Sequence, residues 1–209
     1  MAALQAASII RSKRRGETAF PHTRPESVEV GHCRVQLYSF GQDLYDDMLR
    51  GIEGARESIY LETFIWKGDD TGKRFKESLV RKANAGVAVF VVYDHFGNLV
   101  VPASFKMFPK PVHALAYRGI TQPWQVLDPH HYALEHRKLM VVDGRTAFIG
   151  GYNIGVDYAT KWRDTHLRID GPDAADLAQH FADFWNDHAP PDERISHHYR
   201  RHFDPVIHV

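Results

Sequence analysis

His136 and Lys138 are the residues of this chain best suited to chemistry on a phosphate. An imidazole can attack phosphorus or carry a proton, and an ammonium beside it can hold the negative oxygens. Their spacing matters because residues i and i+2 of a strand project to the same face. The run from Glu135 through Val142 reads as such a strand, and Asp143-Gly144 as the turn into a second one, Thr146-Ala147-Phe148-Ile149. Asp-Gly between two apolar runs is a strong hairpin signal. After the hairpin, Gly150-Gly151-Tyr152-Asn153 offers a backbone that can pass close to a ligand.

The elements that must position this pair alternate between helix and strand. Val35–Tyr38 reads as a short strand, and Gln42–Ala55 as a helix whose Leu44, Met48, Leu49 and Ile52 make one apolar stripe. Ser58–Trp66 is a β-rich run. Thr71 can cap a helix over Gly72–Ala85, which ends before Gly86. Val87–Asp94 is almost continuously apolar, the pattern of a central strand covered on both faces. Five prolines (Pro102, Pro109, Pro111, Pro123 and Pro129) break up the segment from Asp94 to Glu135. A short helix near Ala103–Phe108 and a strand near Ala114–Tyr117 fit within it, and this loop-rich insert is the expected substrate-selecting wall. Trp162–Gly171 reads as a strand with Asp164, His166 and Arg168 on one face, and Asp173–Asp187 as a helix burying Leu177, Phe181, Phe184 and Trp185. The expected class is α/β, a mixed sheet flanked by helices.

The 209 residues are expected to divide into a basic tail (1–27), one catalytic-type domain (28–189), and a segment (190–209) that is a C-terminal tail or the start of a second half. Within the first, Arg11-Ser12-Lys13-Arg14-Arg15 can be a solvated arm, an anionic-membrane contact or part of a transit peptide. Lysine plus arginine (26) equals aspartate plus glutamate (26), so no global basic field marks nucleic acid as the partner, although a local patch would suffice. The single cysteine, Cys33, excludes an intramolecular disulfide and is expected as a buried small residue in a strand. No apolar run reaches the ~18–20 residues that a bilayer span needs. A peripheral, cytoplasmic placement at the membrane is therefore the expectation for a lipid substrate.

The spacing His-x-Lys-x4-Asp followed by Gly-Gly-x-Asn resembles the signature of the phospholipase D superfamily. Leu61-Glu62-Thr63-Phe64-Ile65-Trp66, Asp69-Asp70-Thr71-Gly72-Lys73 and the later Trp-x-Asp-x-His-x-Arg-Ile-x-Gly are similar to the bacterial cardiolipin synthase branch. The resemblance implies a phospholipase D-like layered sandwich carrying a single copy of the repeat. It implies phosphodiester exchange on phosphatidylglycerol through a covalent phosphohistidine, with no cofactor and no metal. His136 would be the nucleophile or the general acid/base, and Lys138 would hold the nonbridging oxygens. Asn153 falls where the family donates a hydrogen bond to phosphate, and Asp164 where an acid orients the imidazole. Some relatives carry serine where this chain has Gly151, so a phosphate contact there must come from backbone. Asp143 completes the motif, but its parity is opposite to that of His136, and Asp-Gly turn chemistry favours a structural role. Glu62, inside an apolar strand, is either paired with a structural partner or lines the site, and the rule that buried acids find partners favours the first. His130 and His131 lack the further ligands a zinc site would need.

Cardiolipin synthases carry two such motifs, and Lys138 is the only lysine here two residues after a histidine. The expected partners are therefore a phospholipid at an anionic membrane surface and either a second copy of this chain or another motif-bearing half. The alternatives are a dimeric single-motif phosphodiesterase acting on nucleic acid, and an inactive half that needs a second motif.

Overall fold

A computed structural model describes residues 25–119 and 135–199. The elements are β1 (Ser27–Val30), β2 (Cys33–Tyr38), α1 (Gly41–Gly54), β3 (Ser58–Thr63), α2 (Asp70–Asn84), β4 (Ala88–Asp94), α3 (Ala103–Lys106), β5 (Val112–Tyr117), β6 (Leu139–Val142), β7 (Thr146–Gly150), α4 (Val156–Thr160), β8 (His166–Asp170) and α5 (Asp173–His188). The strands form one sheet in the order β1-β2-β8-β7-β6-β3-β4-β5. β3, β4 and β5 run parallel, and the remaining neighbours are antiparallel. The expected α/β class with a mixed sheet is therefore present.

Side-chain alternation sorts the core into two layers. Ile59, Leu61, Val89, Val91, Met140, Val142 and Phe148 face α1 and α2, packing on Leu44, Met48, Ile52, Phe75 and Leu79. The alternate residues Tyr60, Val92, Leu139, Val141 and Ala147 face α5, packing on Phe181 and Trp185. Both faces are covered, which is why β3, β4 and β6 read as apolar runs rather than as an alternating pattern. Cys33 is buried in β2 and lies against Gly171.

Several boundaries differ from the sequence reading. The cap of α2 is Asp69, whose Oδ1 accepts from the Gly72 N–H at 3.0 Å, and the helix starts at Asp70, so Thr71 lies inside it. The strand containing the His-x-Lys pair begins only at Leu139, so His136 and Lys138 stand just before the ladder. β8 likewise begins at His166, leaving Asp164 in the preceding loop. Within the segment 190–199, Ile195 is buried and Tyr199 bonds the Tyr60 hydroxyl at 3.1 Å, so these residues pack on the α5 side of the sheet. The arm before Pro25 and the segment after Tyr199, with His202 and His208, lie outside the described residues.

Asp143 belongs to the architecture. With Gly144 it takes up left-handed backbone (φ 52° and 60°), and the Arg145 N–H donates to the Val142 carbonyl at 3.0 Å, a type I′ hairpin turn. Its carboxylate then accepts from the backbone N–H groups of Arg56, Glu57 and Ser58 at 2.8 to 3.2 Å, fixing the start of β3. Asp143→Ala should cost about 1–3 kcal/mol of stability, because those amides lose their acceptor. Urea denaturation measures this, and a change within error of zero would show that the amides find other partners.

Candidate functional site

The parallel strands β3, β4 and β5 end, and β6 and β8 begin, along one edge of the sheet. In open α/β sheets, loops at the carboxyl ends of parallel strands are the usual place for a ligand. Here those loops bring Phe64, His136 and Lys138 to this edge, and the connection from β7 to β8 brings Gly151, Asn153 and Asp164.

The His136 ring packs against the ring of Phe64 with centroids 4.8 Å apart, and the Lys138 ammonium stands 5.2 Å from the centre of the same ring. The two side chains thus share one apolar neighbour, with His136 exposed and Lys138 only 5% exposed. The Lys138 ammonium also donates to the carbonyl of His136. Burial lowers the pKa of Lys138, while the nearby charges of Asp164 and Glu135 oppose that shift. A partly desolvated ammonium facing few counter-ions is well placed to receive a phosphate oxygen.

Asp164 lies against Gly151, where any β-carbon would collide with its carboxylate. Its Oδ1 accepts from the N–H of Thr165 at 2.8 Å. The N–H of Gly151 is already committed to the Thr165 carbonyl at 2.9 Å, so the backbone contact expected from Gly151 requires that amide to be shared. Asn153 uses Oδ1 to accept from the Ile65 N–H at 3.0 Å, and its carbonyl accepts from the Tyr45 hydroxyl. Its amide nitrogen donates to the Tyr158 hydroxyl, which leaves one of its two N–H groups to donate elsewhere. Asp143 sits at the opposite end of β6, so the structure does not bring it to His136.

Glu62 lies on the α5 side, beneath the site, and is fully buried. Arg137 Nη2 stands 3.1 Å from its Oε1, and the same guanidinium pairs with Glu135 at 2.9 Å and covers the Phe184 ring at 4.5 Å. Burial, then the neighbouring Glu135 charge, raises the Glu62 pKa well above the usual carboxylate range. Glu135 stays low: burial alone would raise it, but hydrogen bonds from Arg137 outweigh that effect. One guanidinium between two carboxylates is satisfied when one of them holds a proton.

Three features of the site take roles here that the sequence reading did not assign. His166 is 1% exposed, and neither ring nitrogen makes a hydrogen bond of normal geometry. It bounds a small interior cavity with Met48, Thr63, Lys138, Tyr152 and Ile154. Burial lowers its pKa to about 3, with the Lys138 charge adding to the effect, so the ring is neutral. Phe64 is the second feature, as the platform under His136 and Lys138. Asp94 and Asn98 are the third. Asp94 accepts from the N–H of Gly97 (2.7 Å) and from that of Glu135 (3.0 Å), while Asn98 bonds the Trp66 N–H and the carbonyls of Phe64 and Asp94. Among the described residues no cluster of metal-ligating side chains occurs, and His130 and His131 lie outside them.

A family model described as cardiolipin synthase, PLD-like domain, matches residues 48–185, a span that holds every one of these groups. The chain belongs to this family. Cardiolipin synthase A of Pseudomonas putida (strain GB-1) is 39% identical over 167 residues, covering 75% of this chain and 34% of the relative. The major cardiolipin synthase ClsA of Bacillus subtilis (strain 168) is 32% identical over 180 residues, covering 82% of this chain and 35% of the relative. This cardiolipin synthase-like domain therefore spans about a third of the length of those curated relatives. The fold is shared with NucT from Helicobacter pylori (TM-score 0.59, 15% identity, 75% of this chain and 95% of that one). It is also shared with phosphatidylserine synthase from Haemophilus influenzae Rd KW20 (TM-score 0.57, 18% identity, 78% and 38%).

Two buried titratable groups, His166 and Glu62, give opposite pH signatures. The folded-state pKa of His166 lies below its unfolded value of about 6.5, so the folded form binds fewer protons. Stability should fall as pH drops from about 6.5, by up to ~1.4 kcal/mol per pH unit. His166→Gln should flatten this slope in urea titrations between pH 4 and 6.5, and parallel curves would contradict the assignment. The Glu62 pKa is raised, so its contribution is full below the unfolded value and is lost as pH rises through the folded one. Glu62→Gln should therefore gain stability relative to wild type between pH 5 and 8. A difference that does not change with pH would mean Glu62 is ionised throughout.

Proposed function

We propose that this domain carries out phosphodiester exchange on a glycerophospholipid of the phosphatidylglycerol kind, as one half of a two-histidine site. The observation that carries the reading is the pairing of an exposed His136 with a desolvated Lys138 on the Phe64 ring, within a stretch matched by the cardiolipin synthase family.

In this reading a ring nitrogen of one histidine forms a bond to phosphorus while the bond from phosphorus to the departing alcohol breaks. A second histidine gives that alcohol its proton and then takes the proton of the incoming alcohol, whose oxygen displaces the first imidazole. The covalent intermediate divides one difficult displacement into two easier ones. Lys138 holds the nonbridging oxygens, the Asn153 amide nitrogen donates to phosphate, and Asp164 counters the charge of Lys138 and orients an imidazole. Glu62 and Arg137 hold the segment in place and do not touch substrate. Because the chain contains one His-x-Lys pair, the second histidine comes from another copy related by a two-fold axis, or from another motif-bearing half. The domain boundaries implied are a basic arm, this domain and a C-terminal segment, with the domain acting at a membrane surface.

The test is turnover of labelled phosphatidylglycerol vesicles in the presence of chelator. Cardiolipin plus glycerol should form, and His136→Ala should reduce the rate by on the order of 10³-fold or more. Rapid quenching in detergent at neutral to mildly alkaline pH, where a phosphohistidine survives, should trap labelled lipid on the wild-type chain only. Product that persists in the variant would refute the role of His136. No lipid turnover, together with salt-sensitive cleavage of nucleic acid, would move the site to the other phosphodiester class.

A further inference from the structure

The loop that follows β4 presents apolar side chains to solvent while its backbone is held firmly. Phe96, Leu99 and Val100 are 65%, 55% and 83% exposed, and Met107 beyond α3 is 73% exposed. A mobile loop can leave such residues outside by default, but this one is fastened at several points. Asp94 accepts from the Gly97 N–H, and Asn98, 1% exposed, is fully engaged by the backbones of β4 and the β3–α2 loop. The Lys106 ammonium donates to the Asn98 carbonyl at 3.0 Å, and Lys76 donates to the carbonyls of Phe105 and Met107. These bonds draw residues 96–100 and 105–107 together. Buried polar groups are thus spent on holding a small apolar cluster outward, and ordered exposed apolar patches of that kind mark interaction sites.

Charge and position narrow the partner. From His95 to Gly119 the chain contains no aspartate or glutamate, but it contains Lys106, Lys110 and Arg118. The positive charges of Arg118 and Lys106 reach His95, whose pKa is lowered first by burial and then by them. Apolar side chains projecting from a cationic segment without acids of its own suit an interface of acyl chains beneath anionic headgroups. The loop also adjoins the reacting groups. A β-carbon at Gly97 would press on the Phe64 ring, and that ring carries His136.

From this geometry we infer that residues 96–107 are the element by which the domain seats on an anionic bilayer, with Phe96, Leu99, Val100 and Met107 entering the interface. The inference rests on the lipid reading of the site and deepens it, by naming the surface through which His136 reaches a phosphodiester held in a membrane. Among the described residues no helix is long and apolar enough to cross one.

The experiment places an environment-sensitive fluorophore on Val100→Cys in the full chain. The native Cys33 is buried, so labelling is selective, and Glu57→Cys at the opposite end of the sheet is the control. Vesicles of phosphatidylglycerol and phosphatidylcholine should shift the emission at 100 to the blue and bring it within reach of lipid-borne quenchers, with no change at 57. Leu99→Asp with Val100→Asp should weaken partition onto these vesicles by at least about tenfold and depress vesicle turnover in parallel. Turnover of a short-chain monomeric phosphodiester should persist. An unshifted probe, a shift that follows protein concentration without vesicles, or undiminished partition of the double variant would each overturn the docking role. In those cases the His136→Ala assay still judges the chemistry. A probe that enters the bilayer in a protein that turns over no lipid would separate the two readings the other way, leaving the docking surface in place.

Discussion

Both oxygens of one buried carboxylate, Asp94, are committed to backbone amides of two different segments, and the geometry of the whole edge depends on that bridge. His136 and Lys138 precede their strand, and of the two only Lys138 is tied to the sheet, its carbonyl accepting from the Gly150 N–H at 3.2 Å. The Asp94 link to the Glu135 N–H provides the anchor that the ladder does not. Its other oxygen fixes the turn at Gly97, and Asn98 carries the constraint on to Phe64 and Trp66. The strand β4 thereby positions three loops at once, although it contributes no side chain that would touch a substrate.

Around that anchor, charge is arranged differently on the two faces of the sheet. On the α5 side, Arg137 binds Glu135 and Glu62 together, which holds the segment down and leaves its own positive charge neutralised. On the other side, Lys138 lies between neutral His166 and Asp164, with far less compensation. Two adjacent basic residues therefore have separate fates decided by parity: Arg137 is neutralised in ion pairs, and the charge of Lys138 stays largely uncompensated. Farther along that face, Asp47 accepts from the Tyr38 hydroxyl and pairs with Arg168 at 2.8 Å, tying α1 to β2 and β8. Burial alone would raise the Asp47 pKa, but these partners outweigh it and hold it low.

Much of this was legible in the sequence, because it is written in periodicity and turn chemistry. The apolar run of β4, the stripe of α1, the Asp-Gly turn and the parity argument that set Asp143 apart from His136 all depend on neighbours in the chain. The paired state expected for Glu62 also follows from local reasoning, since an acid in an apolar strand needs a partner. What could not be read depends on distant contacts. The late start of β6, the role of Asp94 and the platform formed by Phe64 all require knowing which loops meet. His166 was visible as a neighbour of Asp164 and Arg168 on one face, but whether that face is dry or wet is a property of the packed molecule. Asp69 displaced Thr71 as the helix cap because its second oxygen also accepts from the Val156 N–H at 2.8 Å, a contact 87 residues away.

The contact between Gly151 and Asp164 makes these two positions mutually dependent. With aspartate at 164, no β-carbon fits at 151 without displacing the carboxylate. A side chain can enter at 151 only after residue 164 has been shortened or turned aside, and a serine there would then bring a hydroxyl to a position that now has only backbone. The two substitutions are therefore epistatic, and their order is constrained: changing 164 first keeps the chain packed, whereas changing 151 first forces the acid away from Lys138. Sequence drift at this edge of the sheet is thus channelled along one path, by a few ångströms of missing space.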